Sequence, residues 1–306
     1  MPSAKSNSKP SKAKLPQAVH QWSFAAIGTQ WWIGVFEALP TVRLESLKTQ
    51  IAARIEEFDK TYSRFRADSL ITRIAKRAGT HRLPADSEPL LAFYRRLYEL
   101  SGGLVTPLVG QLLADAGYDA QYSLTPGTLS LPPEWDDVLQ IRGSSLAAKR
   151  AVLLDVGAAG KGYLVDIISQ LLFEAGVRHF CVDAGGDMYV RGVNPPLRVG
   201  LEHPTDPGQA IGVATLSRGA LCGSAGNRRA WGVYHHIMNP KTLRPVVDIQ
   251  AVWVAAADAM TADGLATALF FMPPAALLLH FSFAYCLVHA DNSVECSADF
   301  PAELFA

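Results

Sequence analysis

Residues 151–187 have the sequence AVLLDVGAAGKGYLVDIISQLLFEAGVRHFCVDAGGD, in which two apolar runs flank a glycine-rich loop and an amphipathic segment. The first run, 151–154, predicts a strand, and 179–182 predicts a second strand. Between them, apolar side chains recur at spacings of three and four over 164–172, which is typical of a helix. Gly176 stands where a helix commonly ends at a residue of positive φ. The stretch therefore predicts a strand, a glycine loop, a helix and a strand in the length of a βαβ unit.

The same two periodicities alternate along the rest of the chain. They predict helices over 44–58, 89–100 and 261–272, and strands over 22–36, 251–257 and 283–288. For the first of these strands, a hairpin around Gly28-Thr29 is the alternative. Residues 122–145 are rich in Pro, Gly and Ser and predict loops between short strands. We therefore expect a mixed α/β fold of the α+β kind, with helices packed on mixed sheets.

Composition limits the class of protein. The 306 residues include 28 Lys and Arg and 28 Asp and Glu, which gives a formal net charge of +0. Nucleic acids and acidic membrane surfaces attract clustered positive charge, so we expect neither as a partner. A hydrophobic content of 49% excludes a wholly disordered chain. The cysteines show no CxxC spacing, and each is expected to be a small buried apolar side chain: Cys181, Cys222, Cys286 and Cys296.

Two segments bear on the location of the protein. Residues 1–18 are rich in Lys and Ser and lack the apolar core of a secretory signal, so we expect a disordered tail and a cytoplasmic protein. The apolar run 275–288 is shorter than the ~20 residues that a membrane-spanning helix needs. It is better explained as the end of a helix and a buried strand, so no membrane anchor is expected.

Two glycine-rich loops are candidates for binding a phosphate. Residues 157–162 lack a side chain at three positions and precede a helix whose dipole favours an anion. Their spacing matches no standard nucleotide fingerprint, and a structural turn is the alternative. Residues 183–187 follow a predicted strand and are equally explained as a hairpin turn.

Asp263 and Thr267 are four residues apart in a predicted helix, so their oxygens share one face. A carboxylate and a hydroxyl are hard oxygen donors and suit Mg²⁺, which keeps waters and substrate phosphate as its other ligands. The alternative is that Asp263 complements the helix dipole while Thr267 packs.

Two further polar segments are candidate sites. His235 and His236 are adjacent, so on a strand only one of them faces a given pocket. That histidine is a candidate general base, and a structural role is the alternative. In the segment 64–69, arginine suits a phosphate, whereas Asp68 equally suits the cap of a following helix.

Six separated segments, taken in order, resemble the motifs of one family. They are IGT at 27–29, SRFRADS at 63–69, DVGAAGKG at 155–162, DAGGD at 183–187, HIMNPKT at 236–242 and ADGLATA at 262–268. The family is that of the ApbE-type FAD:protein FMN transferases, Mg²⁺-dependent enzymes that attach FMN covalently to flavoproteins. The resemblance extends over most of the chain, from about residue 27 to about residue 272.

The resemblance implies a single ApbE-like catalytic domain over 19–306, with FAD as substrate between the glycine loops and Mg²⁺ beside its diphosphate. By resemblance, the metal ligands are Asp263, Thr267 and the main-chain carbonyl of Gly160. Phe65 is expected against the flavin ring, and His236 is expected to act as the base on a Thr or Ser hydroxyl of an acceptor flavoprotein. The other residues implied to bind FAD are Gly28, Thr29, Lys161, Asp183, Gly185, Gly186, Asp187 and Ser224.

The chain also departs from the family pattern. Asn239 stands in place of an Asp, which removes a charge that would orient the base, and Leu243 stands in place of a Gly. Phe65 replaces a Tyr. Two other functions therefore stay open, namely hydrolysis of FAD to FMN and AMP in the same pocket, and binding of FAD without catalysis.

Overall fold

The computed structural model describes residues 17–305. Residues 1–16 of the predicted tail lie outside the described residues, so its disorder stays a prediction. The predicted helices are confirmed, although the one expected over 261–272 begins two residues earlier and ends at Ala268. The α-helices are α1 Thr41–Tyr62, α2 Leu70–Ile74, α3 Glu88–Leu100, α4 Gly110–Asp115, α5 Trp135–Val138, α6 Gly160–Glu174, α7 Ala259–Ala268 and α8 Pro274–Leu278.

The strands form one large sheet and several small ones. They are β1 His20–Ala26, β2 Thr29–Val35, β3 Gly79–Arg82, β4 Leu139–Arg142, β5 Ser145–Ala148, β6 Phe180–Asp183, β7 Met188–Arg191, β8 Leu197–Glu202, β9 Ala210–Leu216, β10 Arg218–Ala225, β11 Ala230–Trp231, β12 Tyr234–His235, β13 Met238–Asn239, β14 Arg244–Pro245, β15 Ile249–Ala256, β16 Phe283–His289, β17 Val294–Cys296 and β18 Ala302–Leu304. The large sheet has the order β1-β2-β6-β7-β10-β15-β16-β17 and is antiparallel throughout.

This large sheet lies between two layers, because successive side chains of a strand point to opposite faces. On one face, Phe180 and Val182 join a core that α1, α3, α6 and α7 complete. On the other face, Cys181 and Val190 pack against Leu201 in the three-stranded sheet β18-β9-β8. The fold is therefore the expected mixture of helices and sheets.

Two hairpin turns meet at one edge of the helical face. The first joins β1 to β2 through Ile27 and Gly28, both with positive φ, which confirms the hairpin alternative for 22–36. The second joins β6 to β7, so the segment 183–187 is a hairpin turn. A side chain on Gly185 would lie 2.1 Å from the hydroxyl of Thr29, so this contact between the turns requires glycine.

The predicted βαβ unit is wrong. Residues 151–156 form no strand, because their amide groups bond to separate loops: Val152 N–H donates to the carbonyl of Ile74, and Asp155 N–H donates to that of Pro107. Helix α6 is confirmed and is followed by Gly176 at φ 83°. The strand after it, β6, pairs only with antiparallel neighbours.

The prediction for the cysteines is half right. Cys181 and Cys222 are buried free thiols, as expected. Cys286 and Cys296 are instead joined in a disulfide, because the antiparallel pairing of β16 with β17 places them directly opposite each other. Pairing between strands is a tertiary contact that the spacing of cysteines in the sequence does not reveal.

Within residues 17–305, no helix has the length and apolar character needed to cross a membrane. The cytoplasmic location stays a prediction.

Helices α6 and α7 approach each other closely at Gly162. A side chain there would lie 2.1 Å from the carbonyl oxygen of Ala259 and 2.7 Å from the Cβ atom of Asp263. Because the first of these contacts is with backbone, relief would require the helices to separate.

We expect Gly162→Ala to lower the free energy of unfolding by about 1–3 kcal/mol, the usual cost of overpacking. Urea unfolding followed by circular dichroism measures this loss. Gly127→Ala is the matched control, since its new methyl group would meet only the carbonyl of Asp115 at 3.7 Å. Equal stability of the two variants would contradict the close packing of α6 on α7.

Candidate active site

A cavity of about 940 Å³ lies where the β1–β2 turn, the end of α1, the start of α6, β10 and α7 converge. Its volume falls within the range of small-molecule sites. It is lined by most of the residues that the sequence singled out: Gly28, Thr29, Phe65, Gly160, Lys161, Gly185, Gly186, Ser224, His236, Asp263 and Thr267. The fold thus brings together segments that are far apart in the sequence.

Asp183 and Asp187 are placed behind the cavity wall. Asp187 is 0% exposed, forms an ion pair with Lys161 and accepts a hydrogen bond from Gly223 N–H at 3.3 Å. Asp183 accepts one from Gly186 N–H at 2.8 Å. The carboxylate of Asp183 therefore stabilises the hairpin turn, and that of Asp187 holds Lys161. Contact of either residue with FAD stays a prediction.

Lys161, Asp187 and Asp263 form a buried charged group. Burial, followed by the negative charge of Asp187, raises the pKa of Asp263 well above its ordinary value. Burial lowers the pKa of Lys161, but the carboxylates of Asp187 and Asp263 outweigh it and the net direction is upward. This group thus contains one ammonium group and two carboxylates. The excess of negative charge favours the binding of a further positive charge near Asp263.

The glycine loop before α6 uses its backbone donors within the protein. Gly157 N–H donates to Asp155 at 2.6 Å, Ala159 N–H to the hydroxyl of Tyr94 at 3.1 Å, and Gly160 N–H to the carbonyl of Val156 at 2.7 Å. The structural alternative for 157–162 agrees with these bonds. These three N–H groups are therefore not available to a phosphate in the cavity.

The three predicted metal ligands lie on the same side of the cavity. Asp263 accepts a hydrogen bond from Gly162 N–H at 2.8 Å through one carboxylate oxygen, which leaves the other oxygen without a partner in residues 17–305. The hydroxyl of Thr267 donates to the carbonyl of Ala158 at 3.5 Å, which places it beside the loop that contains Gly160. Within the described range, no cluster of three or more His, Cys, Asp or Glu side chains is placed to hold a metal.

His236 lines the cavity, and its Nδ1 atom is buried without a hydrogen-bond partner in the described part of the chain. Its backbone N–H donates to the carbonyl of Arg229 at 3.1 Å. His235 points elsewhere, because its Nε2 bonds to the carbonyl of Val246 and its Nδ1 accepts from Ile237 N–H. Of the two histidines, His236 is therefore the candidate base.

The turn after His236 contains two of the departures from the family pattern, Asn239 and Leu243. The side-chain oxygen of Asn239 accepts hydrogen bonds from Lys241 N–H at 2.9 Å and Thr242 N–H at 3.1 Å. The side-chain oxygen of Asn239 therefore closes this turn. Leu243 adopts φ 58°, a left-handed conformation that glycine reaches without steric cost.

Sequence reasoning missed a group of aromatic side chains beside Phe65. Tyr122 stacks on Phe65 with 5.0 Å between ring centres and 11° between planes, and Tyr118 meets the edge of the same ring. Tyr118 in turn stacks on Trp231. A planar ring that binds against Phe65 must therefore displace Tyr122. The aromatic residues at 118, 122 and 231 are visible in the sequence, but no local pattern indicates that they pack against Phe65.

The arginines of the segment 64–69 have different partners. Arg64 is buried, pairs with Asp155 at 2.5 Å and donates to the carbonyl of Tyr118. Although burial raises the pKa of Asp155, the charge of Arg64 keeps it below its ordinary value. Arg66 pairs with Asp68 at 2.9 Å, and the cap of α2 is Ser69, so the predicted cap at Asp68 is wrong.

Comparison with known proteins places the chain among related sequences and structures. A family model described as the ApbE family matches residues 27–282. The FAD:protein FMN transferase of Vibrio cholerae is 26% identical over 277 residues, which is 85% of this chain and 83% of that protein. That of Treponema pallidum is 27% identical over 307 residues, with 89% and 85% covered.

Solved structures show the same fold. The ApbE protein of Thermotoga maritima superposes with a TM-score of 0.82 at 23% identity, over 93% of this chain and 99% of that one. The flavin transferase ApbE of Vibrio cholerae gives a TM-score of 0.76 at 22% identity, over 92% and 98%.

We expect His236 to stay neutral throughout the physiological pH range. Burial, with the charge of Arg229 next, lowers its pKa from 6.5 to about 3. The unfolded chain binds this proton at the ordinary pKa, so the contribution of His236 to stability is complete above that value and is lost as the pH falls towards 3. NMR titration of the imidazole, assigned with His236→Gln, measures the pKa. A midpoint near 6.5 would contradict the buried, partnerless environment.

Proposed function

This chain belongs to the ApbE family, as its motifs predicted, and we propose that it transfers FMN from FAD to a Thr or Ser hydroxyl of an acceptor flavoprotein, releasing AMP. The observation that carries the proposal is that His236, with an unoccupied ring nitrogen, lines the same cavity as Asp263 and Lys161. A candidate base and a candidate cation site thus face the same cavity.

The proposed reaction is a phosphoryl transfer. His236 takes the proton of the acceptor hydroxyl, whose oxygen forms a bond to the phosphorus atom of the FMN half of FAD. The bond between that phosphorus and the bridging oxygen breaks, and AMP leaves with the electron pair. The transferred group is thereby bound to the acceptor through a phosphoester, and no oxidation or reduction takes place.

The residues beside α7 fit Mg²⁺. The free carboxylate oxygen of Asp263, the hydroxyl of Thr267 and the carbonyl of Gly160 are hard oxygen donors. Burial, and after it the negative charge of Asp187, raises the pKa of Asp263, and a bound cation would favour its ionised form. When bound, Mg²⁺ neutralises charge on the diphosphate and on the departing AMP. Lys161, held by Asp187, supplies a fixed positive charge beside it.

We place the flavin ring at the aromatic group of Phe65, Tyr118, Tyr122 and Trp231. Tyr122 is 51% exposed and lies in a loop with positive φ at Tyr122 and Leu124, so it is the member most easily displaced. Stacking between flat aromatic systems would then replace the contact between Tyr122 and Phe65. The whole of 19–306 is proposed to act as one catalytic unit.

Incubation of the protein with FAD, Mg²⁺ and a flavoprotein encoded beside its gene tests the proposal. We expect mass spectrometry to show the acceptor carrying FMN at one Thr or Ser, and an Ala substitution at that residue to abolish the adduct. AMP release at an equal rate without any acceptor would instead identify FAD hydrolysis. FAD binding with no AMP release under any condition would identify a binding protein.

We expect Asp263→Ala to abolish Mg²⁺-dependent turnover, because the change removes the one carboxylate among the proposed ligands. Isothermal titration of Mg²⁺ in the presence of FAD should show the same loss. Asp299→Asn is the control, since Asp299 is exposed and far from the cavity lining. Turnover of the Ala variant at the wild-type rate would contradict the metal assignment.

A further inference from the structure

The basic residues in and around the cavity differ in whether a carboxylate pairs with them. Arg64 pairs with Asp155, Arg66 with Asp59 and Asp68, and Lys161 with Asp187. At the rim, Arg228 pairs with Glu202 at 3.1 Å. Arg229 also lines the cavity, but no carboxylate within 17–305 forms an ion pair with it.

Arg229 is held close to the reacting groups. Its carbonyl oxygen accepts the backbone N–H of His236 at 3.1 Å, which fixes the two residues relative to each other. Its guanidinium carbon lies 5.9 Å from the centre of the Tyr118 ring. Its charge also acts on the pKa of Asp155 and of Asp263, although burial and nearer charges act more strongly there. The guanidinium thus faces the cavity from the side of the base.

A diphosphate in this cavity needs more donors than the glycine loop offers, because four of the N–H groups of that loop are already bonded within the protein. The N–H groups of Gly157, Ala159, Gly160 and Gly162 are bonded to protein acceptors, and Lys161 is engaged by Asp187. A guanidinium group with no carboxylate partner offers several N–H donors in a planar arrangement that matches phosphate oxygens.

We propose that Arg229 binds the diphosphate of FAD and stabilises the negative charge on the phosphoryl group during its transfer. The inference rests on the proposed function and adds a residue to it. As the acceptor oxygen bonds to phosphorus and AMP leaves with the electron pair, charge spreads over the equatorial oxygens of the phosphoryl group, and a fixed cation lowers the energy of that arrangement. The proton of the acceptor passes to His236, so Arg229 stays charged throughout.

The test compares Arg229→Gln with Arg228→Gln, two neighbouring substitutions that each remove one positive charge. For Arg229→Gln we expect kcat to fall by about 10³-fold, in the range of other arginines that act on a transferred phosphoryl group. Isothermal titration should show FAD binding weakened by about 10-fold or more. Arg228 and Glu202 lie at the rim of the cavity, but the Arg228 side chain is 55% exposed and its charge is paired with Glu202. The Arg228 variant should therefore stay within about threefold of the wild type in both measurements.

Further variants and outcomes separate this inference from the proposed function. Arg229→Lys keeps the charge without the planar donors and should fall between the wild type and Arg229→Gln in kcat. Equal kcat and equal FAD affinity for the two Gln variants, with a wild type that transfers FMN, would overturn the role of Arg229 alone. A wild type that binds FAD but transfers nothing would overturn the proposed function, while the difference in FAD affinity would still decide whether Arg229 binds the diphosphate.

Discussion

The contact between α6 and α7 determines where the charged groups of the cavity lie. Two carboxylates cross-link these helices in opposite directions: Asp263 of α7 accepts from Gly162 N–H, and Asp166 of α6 accepts from the N–H groups of Ala259 and Met260 at 2.8 Å each. The glycine at 162 allows the backbones to approach closely enough for both sets of bonds. Lys161 and Gly160 precede this glycine directly, so the same contact orients the ammonium group and the loop carbonyl towards α7.

The charges of the cavity are balanced except at two places. Arg64 with Asp155 and Lys161 with Asp187 are buried pairs, each of which leaves a costly unpaired charge if one partner is removed. Asp263, among the described residues, forms no ion pair, and burial together with the charge of Asp187 raises its pKa. Arg229 has no carboxylate. A ligand with a divalent cation at one end and phosphate oxygens at the other would complement both.

The sequence predicted the helices and most strands well, because the periodicity of apolar side chains reports local structure directly. It failed at 151–154, since an apolar run also occurs in extended backbone that bonds to several loops. Most of the site residues that the motifs singled out line the cavity, whereas Asp183 and Asp187 proved to lie behind it. Arg229 escaped notice because its neighbour Arg228 looks identical in sequence. Contacts between residues distant in sequence distinguish the two: Arg228 pairs with Glu202, whereas Arg229 lies near the ring of Tyr118.

The environment of His236 indicates whether the proposed reaction depends more on proton removal or on neutralisation of the phosphate charge. A histidine with a pKa of about 3 is a weak base at neutral pH, and Asn239 is occupied by the turn and offers it no negative charge. Such a base takes a proton only as the new bond forms. Phosphoryl transfer passes through a loose transition state, in which the bond to the nucleophile is only weakly formed. Its rate therefore depends more on the groups that neutralise the phosphate charge than on activation of the nucleophile. A weak base in a cavity that Lys161, Arg229 and the oxygen donors of α7 also line therefore suits the proposed reaction better than a reaction that requires a strongly activated hydroxyl.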